Sequence, residues 1–439
     1  MRRIFSDYAY SEGPRDGCWW DKTVDMSAHP QLMGDVTCDV VVVGAGFTGL
    51  SAAYHLACSG ASVVVLDANA VGWGASGRNG GFCCLGGGKI SDVSLDKRYG
   101  HAARLAWRQA EKAAVDLVDT LITDLGLEVD RHSTGETCLA HRPSVARAFE
   151  QDLLAVRENY GVDAKILSRG ALATAGMAGP FHGAMTIPVG FALNPRKYVA
   201  GICSAAKGAG VRVFEHSAVT DVLADGVLTR QGKVKADRVI IATNGYSSED
   251  VPRAMAGRYM PTQSTVIVTR PLSEAEKLAQ GWTTQQMCYD SRHMLHYFRL
   301  MPDDRFLFGM RGGLFSSPRT ERHARARVVR DFRRLFPAWA DVDIPFAWSG
   351  MVCLARNLVP FAGQLDERSN VLAGFAYHGN GVAMGTFTGK LLADLALGHA
   401  PELFPSVMAR SPHHFPFAGM RRAIMPPVYG AFRLDDLRP

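Results

Sequence analysis

The stretch from Asp39 to Gly81 constrains this chain more than any other. It opens with an apolar run, Asp39-Val40-Val41-Val42-Val43, and turns through Gly44-Ala45-Gly46-Phe47-Thr48-Gly49 into a helix-like segment, Leu50 to Ala57. A second apolar run, Ala61 to Leu66, closes on Asp67. Strand, glycine turn, helix and parallel strand together form the unit that holds a dinucleotide. Gly44 permits the tight turn, Gly46 lets a pyrophosphate reach the backbone, and Gly49 lets the helix lie close to the sheet. The first helical turn, at Phe47 and Thr48, offers unpaired N–H groups and a positive dipole end to that pyrophosphate. Asp67, with its neighbour Ala68, stands at the end of the second strand, placed to accept hydrogen bonds from a ribose.

Bulk properties exclude several classes. A chain of 439 residues holds a large core, and 47% hydrophobic residues is the share of an ordinary globular protein. A net charge of +6, from 48 basic and 42 acidic residues, is mild, and no recognition motif points to nucleic acid. The first 30 residues carry no apolar stretch long enough for a signal peptide, and no run approaches a membrane span. Nine scattered cysteines, without a metal-ligand spacing, read as reduced thiols in a cytoplasmic protein that holds no metal. The vicinal pair Cys83-Cys84 is read as two small buried hydrophobes rather than a redox pair.

Taken in order, residues 1–35 form an aromatic-rich arm with Tyr8, Tyr10, Trp19 and Trp20. Apolar steps of three and four predict one long helix over Asp92–Gly126, followed by a strand at Glu136–His141 and a helix over Ser144–Tyr160. Asn194-Pro195 starts another helix. Strands are expected at Val211–Phe214, at Ala218–Leu223 and at Arg238–Ile241, the last beside the first nucleotide-binding strands. Further on, Ser264–Thr269, Met294–Leu300 and Arg305–Met310 read as strands, the last two joined by a turn at Met301–Asp304. The arginine-rich helix Glu321–Phe336 presents a solvated basic face. A buried strand, Asn370–Gly374, leads through Phe375–Gly381 into a helix over Val382–Leu397, a second glycine-rich turn aimed at the same ligand. The fold class is α/β. A discontinuous Rossmann-like domain (36–90, 196–249, 356–400) carries an inserted α+β substrate domain (91–195, 250–355) on a mainly antiparallel sheet. Residues 401–439 form a tail that packs across the protein's own surface in preference to a membrane.

With these motifs the chain resembles the D-amino-acid oxidase superfamily of FAD-dependent oxidoreductases, which includes glycine, sarcosine and gamma-glutamylputrescine oxidases, the last branch being nearest. The residues that carry the resemblance are the Gly44–Gly49 turn with Asp67, Gly74-Ala75-Ser76-Gly77-Arg78-Asn79-Gly80-Gly81, Ala242-Thr243-Asn244-Gly245, Tyr297–Leu300, Phe306–Gly309 and the Gly374–Gly381 turn. The resemblance implies that Ser76–Gly81 passes the flavin ring, that Val219 meets the adenine through its backbone, and that His378-Gly379-Asn380-Gly381-Val382 covers the pyrimidine edge. It implies hydride transfer from the carbon beside a neutral amine to flavin N5, giving an imine that hydrolyses. Oxygen or another electron acceptor then reoxidises the flavin.

Departures from the family pattern narrow this reading. Val352 stands near the position where several amino-acid oxidases carry a carboxylate-binding arginine, which favours an amine or a substrate whose acid group lies elsewhere. Leu307 falls where sarcosine-oxidase-like members carry a lysine, and Gly350 where they tether the flavin through cysteine, so non-covalent FAD is expected. Tyr297, Arg299 and His378 are the candidate catalytic residues; by strand alternation Tyr297 and Arg299 share a face, and Arg311 ends the next strand. An NAD(P)-dependent dehydrogenase using the first motif alone, or a non-catalytic flavin-fold module, are the competing readings.

Overall fold

The computed structural model describes residues 1–365 and 370–437. Residues 366–369, inside the third nucleotide-binding segment, and 438–439, at the end of the tail, lie outside it.

Val36–Val43 is buried without alternation from Val40 onward, as a strand covered on both faces must be. It pairs in parallel with Val63–Leu66 on one side and Lys233–Ile241 on the other, Val41 lying opposite Val64 and Val239. The sheet continues through Arg212–Phe214 at one edge, and through Val371–Phe375 and the antiparallel Phe361–Gln364 at the other. Val40 and Val42 face a layer of helices, Phe47–Cys58, Pro195–Gly208 and Gly381–Ala396. Val41 and Val43 face a cover that includes the hairpin Val219–Leu223 with Gly226–Thr229. Strand order reverses at Val36–Val43, so the crevice beyond Val43 is where such sheets bind ligands.

A second eight-stranded sheet runs Phe346–Leu354, Met260–Pro271, Arg305–Gly313, His296–Leu300, Met287–Asp290, Glu136–Leu139, Gly183–Ile187, Lys165–Ser168. It is antiparallel except where Met287–Asp290 joins Glu136–Leu139. Phe298, Phe306 and Phe308 pack its outer face beneath the helix Pro318–Leu335. Val266, Leu307 and Trp348 pack the opposite face with Trp20 of the N-terminal arm. Arg322, Arg330, Arg333 and Arg334 point into solvent from that helix.

Three local expectations are corrected. The helix expected over 92–126 is two, Asp92–Tyr99 and His101–Asp124, separated by Gly100 at φ 89°. That dihedral cannot continue a right-handed helix, and the apolar spacing runs across the break and hides it. The strand expected at Ser264–Thr269 extends over Met260–Pro271, because both neighbours continue its ladder. The tail contains a helix, Met425–Asp436, with prolines in its first turn, where no intrahelical N–H is lost. Buried Arg421 ties the tail to the body through Glu249, at 2.6 and 3.0 Å, and Phe432 stacks on His293. Among the described residues no helix is long and apolar enough to cross a membrane.

Candidate active site

A cavity of about 480 Å³ opens at the carboxyl end of Val36–Val43 and reaches the second sheet. Its nucleotide end is lined by Gly44, Gly46, Phe47, Thr48, Asp67, Ala68, Val219, Ala242 and Thr243. Its middle is lined by Gly74, Ser76, Arg78, Asn79, Gly80 and Gly379–Val382. Gly49, Gly81 and Gly245 stand behind this wall, and at Gly49 and Gly81 close approach leaves no space for a side chain. A Cβ on Gly49 would overlap the Gly44 carbonyl oxygen, and one on Gly81 (φ 70°) would overlap that of Leu193.

The cradle carries the groups that a dinucleotide such as FAD needs. Asp67 accepts the Ala45 amide on Oδ2 and the Asn69 amide on Oδ1, both at 2.8 Å, leaving each oxygen a lone pair for a ribose hydroxyl. Burial raises its pKa to about 6. Ser76 Oγ accepts the Phe47 amide at 2.9 Å and so ties the Ser76–Gly81 loop to the helix N-terminus. The helix Gly381–Ala396 packs on Phe47–Cys58 so closely that a Cβ on Gly389 would overlap the Thr48 carbonyl oxygen. Thr48 Oγ1 and Tyr377 OH are 2.8 Å apart at this junction. Two helix N-termini therefore border the cavity, favouring an extended electron-rich ligand.

Arg78 and Asn79 shape the loop with their own polar atoms. Arg78 Nη2 donates to Trp73 O at 2.7 Å, Nε donates to Trp73 O and Gly74 O, and its guanidinium stacks on Trp73. Asn79 Nδ2 donates to Ala75 O and Ser76 O, while its Oδ1 accepts the Gly81 amide at 2.7 Å.

At the substrate end, Tyr297 OH lies 2.8 Å from Ser264 Oγ, whose own proton goes to Met310 O at 3.1 Å. Tyr297 therefore donates to Ser264 and presents its phenol oxygen as an acceptor. Arg299 departs from the expectation of facing the substrate. It is fully buried behind the wall, with Nη2 donating to Leu193 O at 2.8 Å and Nη1 to Gly81 O at 3.2 Å. Alternation along the strand sets its face, but Gly81 and Phe82 come between it and the cavity. His378 borders the cavity with both ring nitrogens engaged: Nδ1 donates to Gly87 O at 2.9 Å and Nε2 accepts the Ala355 amide at 3.2 Å. Burial lowers its pKa to about 4, and its one ring proton is committed to Gly87 O.

The sequence reading did not single out Lys89, Glu136 or Glu111, which also line this end. Burial raises Glu136 to about 8, while Glu111 is held by Arg108 and by Tyr160 OH, each at 2.7 Å. The run Gly86-Gly87-Gly88 ahead of Lys89 was a usable signal; nothing local marked Glu136, whose place depends on distant strand pairing. Cys83 and Cys84 are free and buried, and burial pushes both thiols well up.

A dinucleotide cradle that opens onto a sheet-walled chamber defines a two-domain oxidoreductase built around a bound redox cofactor. The family model described as DAO, FAD dependent oxidoreductase, matches residues 39–395, and the chain belongs to that family and is FAD-dependent. It is 33% identical over 404 residues to gamma-glutamylputrescine oxidoreductase of Escherichia coli (strain K12), covering 90% of this chain and 91% of that protein. It is 29% identical to a probable oxidoreductase OrdL of Rhizobium meliloti (strain 1021), over 88% of this chain and 89% of that one. The crystal structure of glycine oxidase from Geobacillus kaustophilus shares the fold, with a TM-score of 0.69 at 20% identity, covering 86% of this chain and 99% of that one. The family sets aside the nicotinamide-only reading, which left the Ser76–Gly81 loop and the C-terminal turn without a purpose.

Proposed function

We propose that this enzyme oxidises the C–N bond of a small amine or amino acid, using FAD held without a covalent bond. The observation that carries the reading is the single cavity joining the Gly44–Thr48 cradle to the wall made by Ser264, Tyr297 and Arg311. Gamma-glutamylputrescine oxidoreductase and glycine oxidase are both named for amine-bearing compounds. Bound in the cavity lined by Gly44–Thr48, Ser76, Arg78–Gly80 and Gly379–Val382, FAD would supply a two-electron acceptor for hydride from the carbon beside the amine.

The protein's share is positioning. Tyr297 accepts an N–H from the substrate amine and so turns the adjacent C–H bond toward the Gly80 side of the cavity, where its ring meets the loop. His378 holds the Gly87 and Ala355 backbone in place and takes no proton. The buried walls exclude water until the imine leaves for hydrolysis. Deuterium at the carbon bonded to nitrogen tests the hydride step. A primary isotope effect on the rate of flavin reduction is expected; its absence, with reduction still rate-limiting, would contradict this chemistry.

Tyr297→Phe removes the acceptor and is expected to lower kcat/KM by about tenfold, near 1.4 kcal/mol, with FAD retained. Stopped-flow reduction at varied substrate concentration measures it. Non-covalent attachment rests on Gly350, which offers no nucleophile beside Arg78, and on Cys353, whose buried thiol is pushed up to about 12. Acid precipitation is expected to leave all flavin in the supernatant; flavin in the pellet would show a covalent tether.

A further inference from the structure

We propose that Arg3 and Tyr10 of the N-terminal arm belong to the FAD site, and that Arg422 of the C-terminal tail is the positioning residue that holds them there. The inference rests on FAD being held without a covalent bond. All three residues lie outside the family match, which covers 39–395.

The arm reaches the cavity through a set of packed rings. Arg3 and Tyr10 line the cavity together with Tyr246 and Met351. Tyr10 packs edge-to-face with Tyr246, 6.3 Å between centroids, and Tyr246 packs the same way with Trp73 at 5.6 Å. Trp73 carries the Arg78 guanidinium and leads directly into the Gly74–Gly81 loop, so the arm leans on the residues that shape that loop. Phe5 and Ala9, both buried, seat the arm on Met351. The Arg3 guanidinium lies 4.2 Å above the Tyr10 ring and, among the described residues, makes no hydrogen bond or ion pair. A cation on a cavity wall without a carboxylate partner suits a ligand that carries two phosphates.

The tail closes over the arm. Glu249 is the shared anchor: its carboxylate takes the Arg421 guanidinium at 2.6 and 3.0 Å, and its amide donates to Arg2 O at 2.7 Å. Asp250 Oδ1 accepts the Arg2 amide at 2.7 Å. The next tail residue, Arg422, lies 4.0 Å above the Phe5 ring, and its Nη1 donates to Ile4 O at 3.4 Å. Residues 2–5 are therefore held between Glu249–Asp250 on the body and Arg422 on the tail. Arg422 does not line the cavity and acts on it only through Ile4 and Phe5. Lifting the arm opens this side of the cavity, so the grip on the arm adds to the barrier against FAD release.

FAD release from the diluted holoenzyme, followed by the rise in flavin fluorescence, tests this. Arg3→Ala and Tyr10→Ala are each expected to speed release about tenfold. Tyr10→Phe should stay within about twofold of wild type, because the ring does the packing. Arg422→Ala should speed release about threefold. In a protein already carrying Arg3→Ala and Tyr10→Ala, Arg422→Ala should add nothing, since it acts through the arm. The urea midpoint of the FAD-free protein should be the same for Arg3→Ala and wild type. Unchanged release from Arg3→Ala and Tyr10→Ala would overturn the inference. So would an Arg422→Ala effect that persists without the two arm side chains, or a lowered midpoint in FAD-free Arg3→Ala, which would assign Arg3 to folding. Flavin that no variant releases and that stays in the acid pellet would overturn the non-covalent reading, and this inference with it.

Discussion

Gly49→Val is expected to give a colourless protein. The helix Phe47–Cys58 starts against Val36–Val43 with no room for a side chain: a Cβ on Gly49 would overlap Gly44 O and lie 3.1 Å from Val42 Cγ1. The obstructing atoms belong to the turn that forms the pyrophosphate cradle, so the helix can clear them only by moving its N-terminus off the ligand. Overpacking against backbone, which cannot rotate away, is expected to cost about 3 kcal/mol or more. Carried into cofactor affinity, that is a hundredfold or more in the FAD dissociation constant, roughly 1.4 kcal/mol per factor of ten. Gly60→Ala is the control. Gly60 has a positive φ, 89°, and nothing lies within 4 Å of its would-be Cβ. Only about 1 kcal/mol of backbone strain should follow, with the yellow colour retained. FAD content after purification distinguishes the two, and a yellow Gly49→Val protein would contradict the assigned cradle.

Phe298→Ala is expected to be the most damaging substitution in the substrate sheet. Phe298 is fully buried, and its ring lies 5.3 Å from Phe336, 5.4 Å from Trp282 and 5.7 Å from Phe308. Truncation leaves a cavity walled by rigid rings that cannot collapse into it, at a cost of about 3–5 kcal/mol. Its chain neighbours Tyr297 and Arg299 support the opposite face, so loss of the ring layer frees the wall of the active site. Urea unfolding should show a tryptophan fluorescence transition at lower denaturant than flavin release, two steps where the wild type shows closer ones. Leu278→Ala, at a residue 63% exposed, should change stability by about 0.5 kcal/mol or less. Equal effects of the two substitutions would contradict this packing.

The readability of the chain follows from how local each signal is. The Gly44–Gly49 turn, Asp67 and the helix begun by Asn194-Pro195 are encoded within a few residues, and the structure forms them where the sequence indicates. The Tyr297 strand and its hairpin partner were readable for the same reason. Arg299 was not, since its burial is set by Gly81 and Leu193, more than a hundred residues earlier. Lys89 and Glu136 meet only because a glycine run and a parallel strand pair bring them to one chamber, and no local period records that. Gly100 shows the reverse failure: a strong helical period concealed a backbone dihedral that only glycine tolerates well.

The most direct measurement of the central claim is anaerobic mixing of the purified enzyme with amines, N-methylated amines and amino acids, followed by admission of oxygen. The protein should be yellow and should bleach with at least one of these compounds. Return of colour with oxygen marks an oxidase, and slow return marks another acceptor. A flavin-loaded protein that no amine or amino acid reduces would contradict C–N oxidation and leave the fold as a binding module.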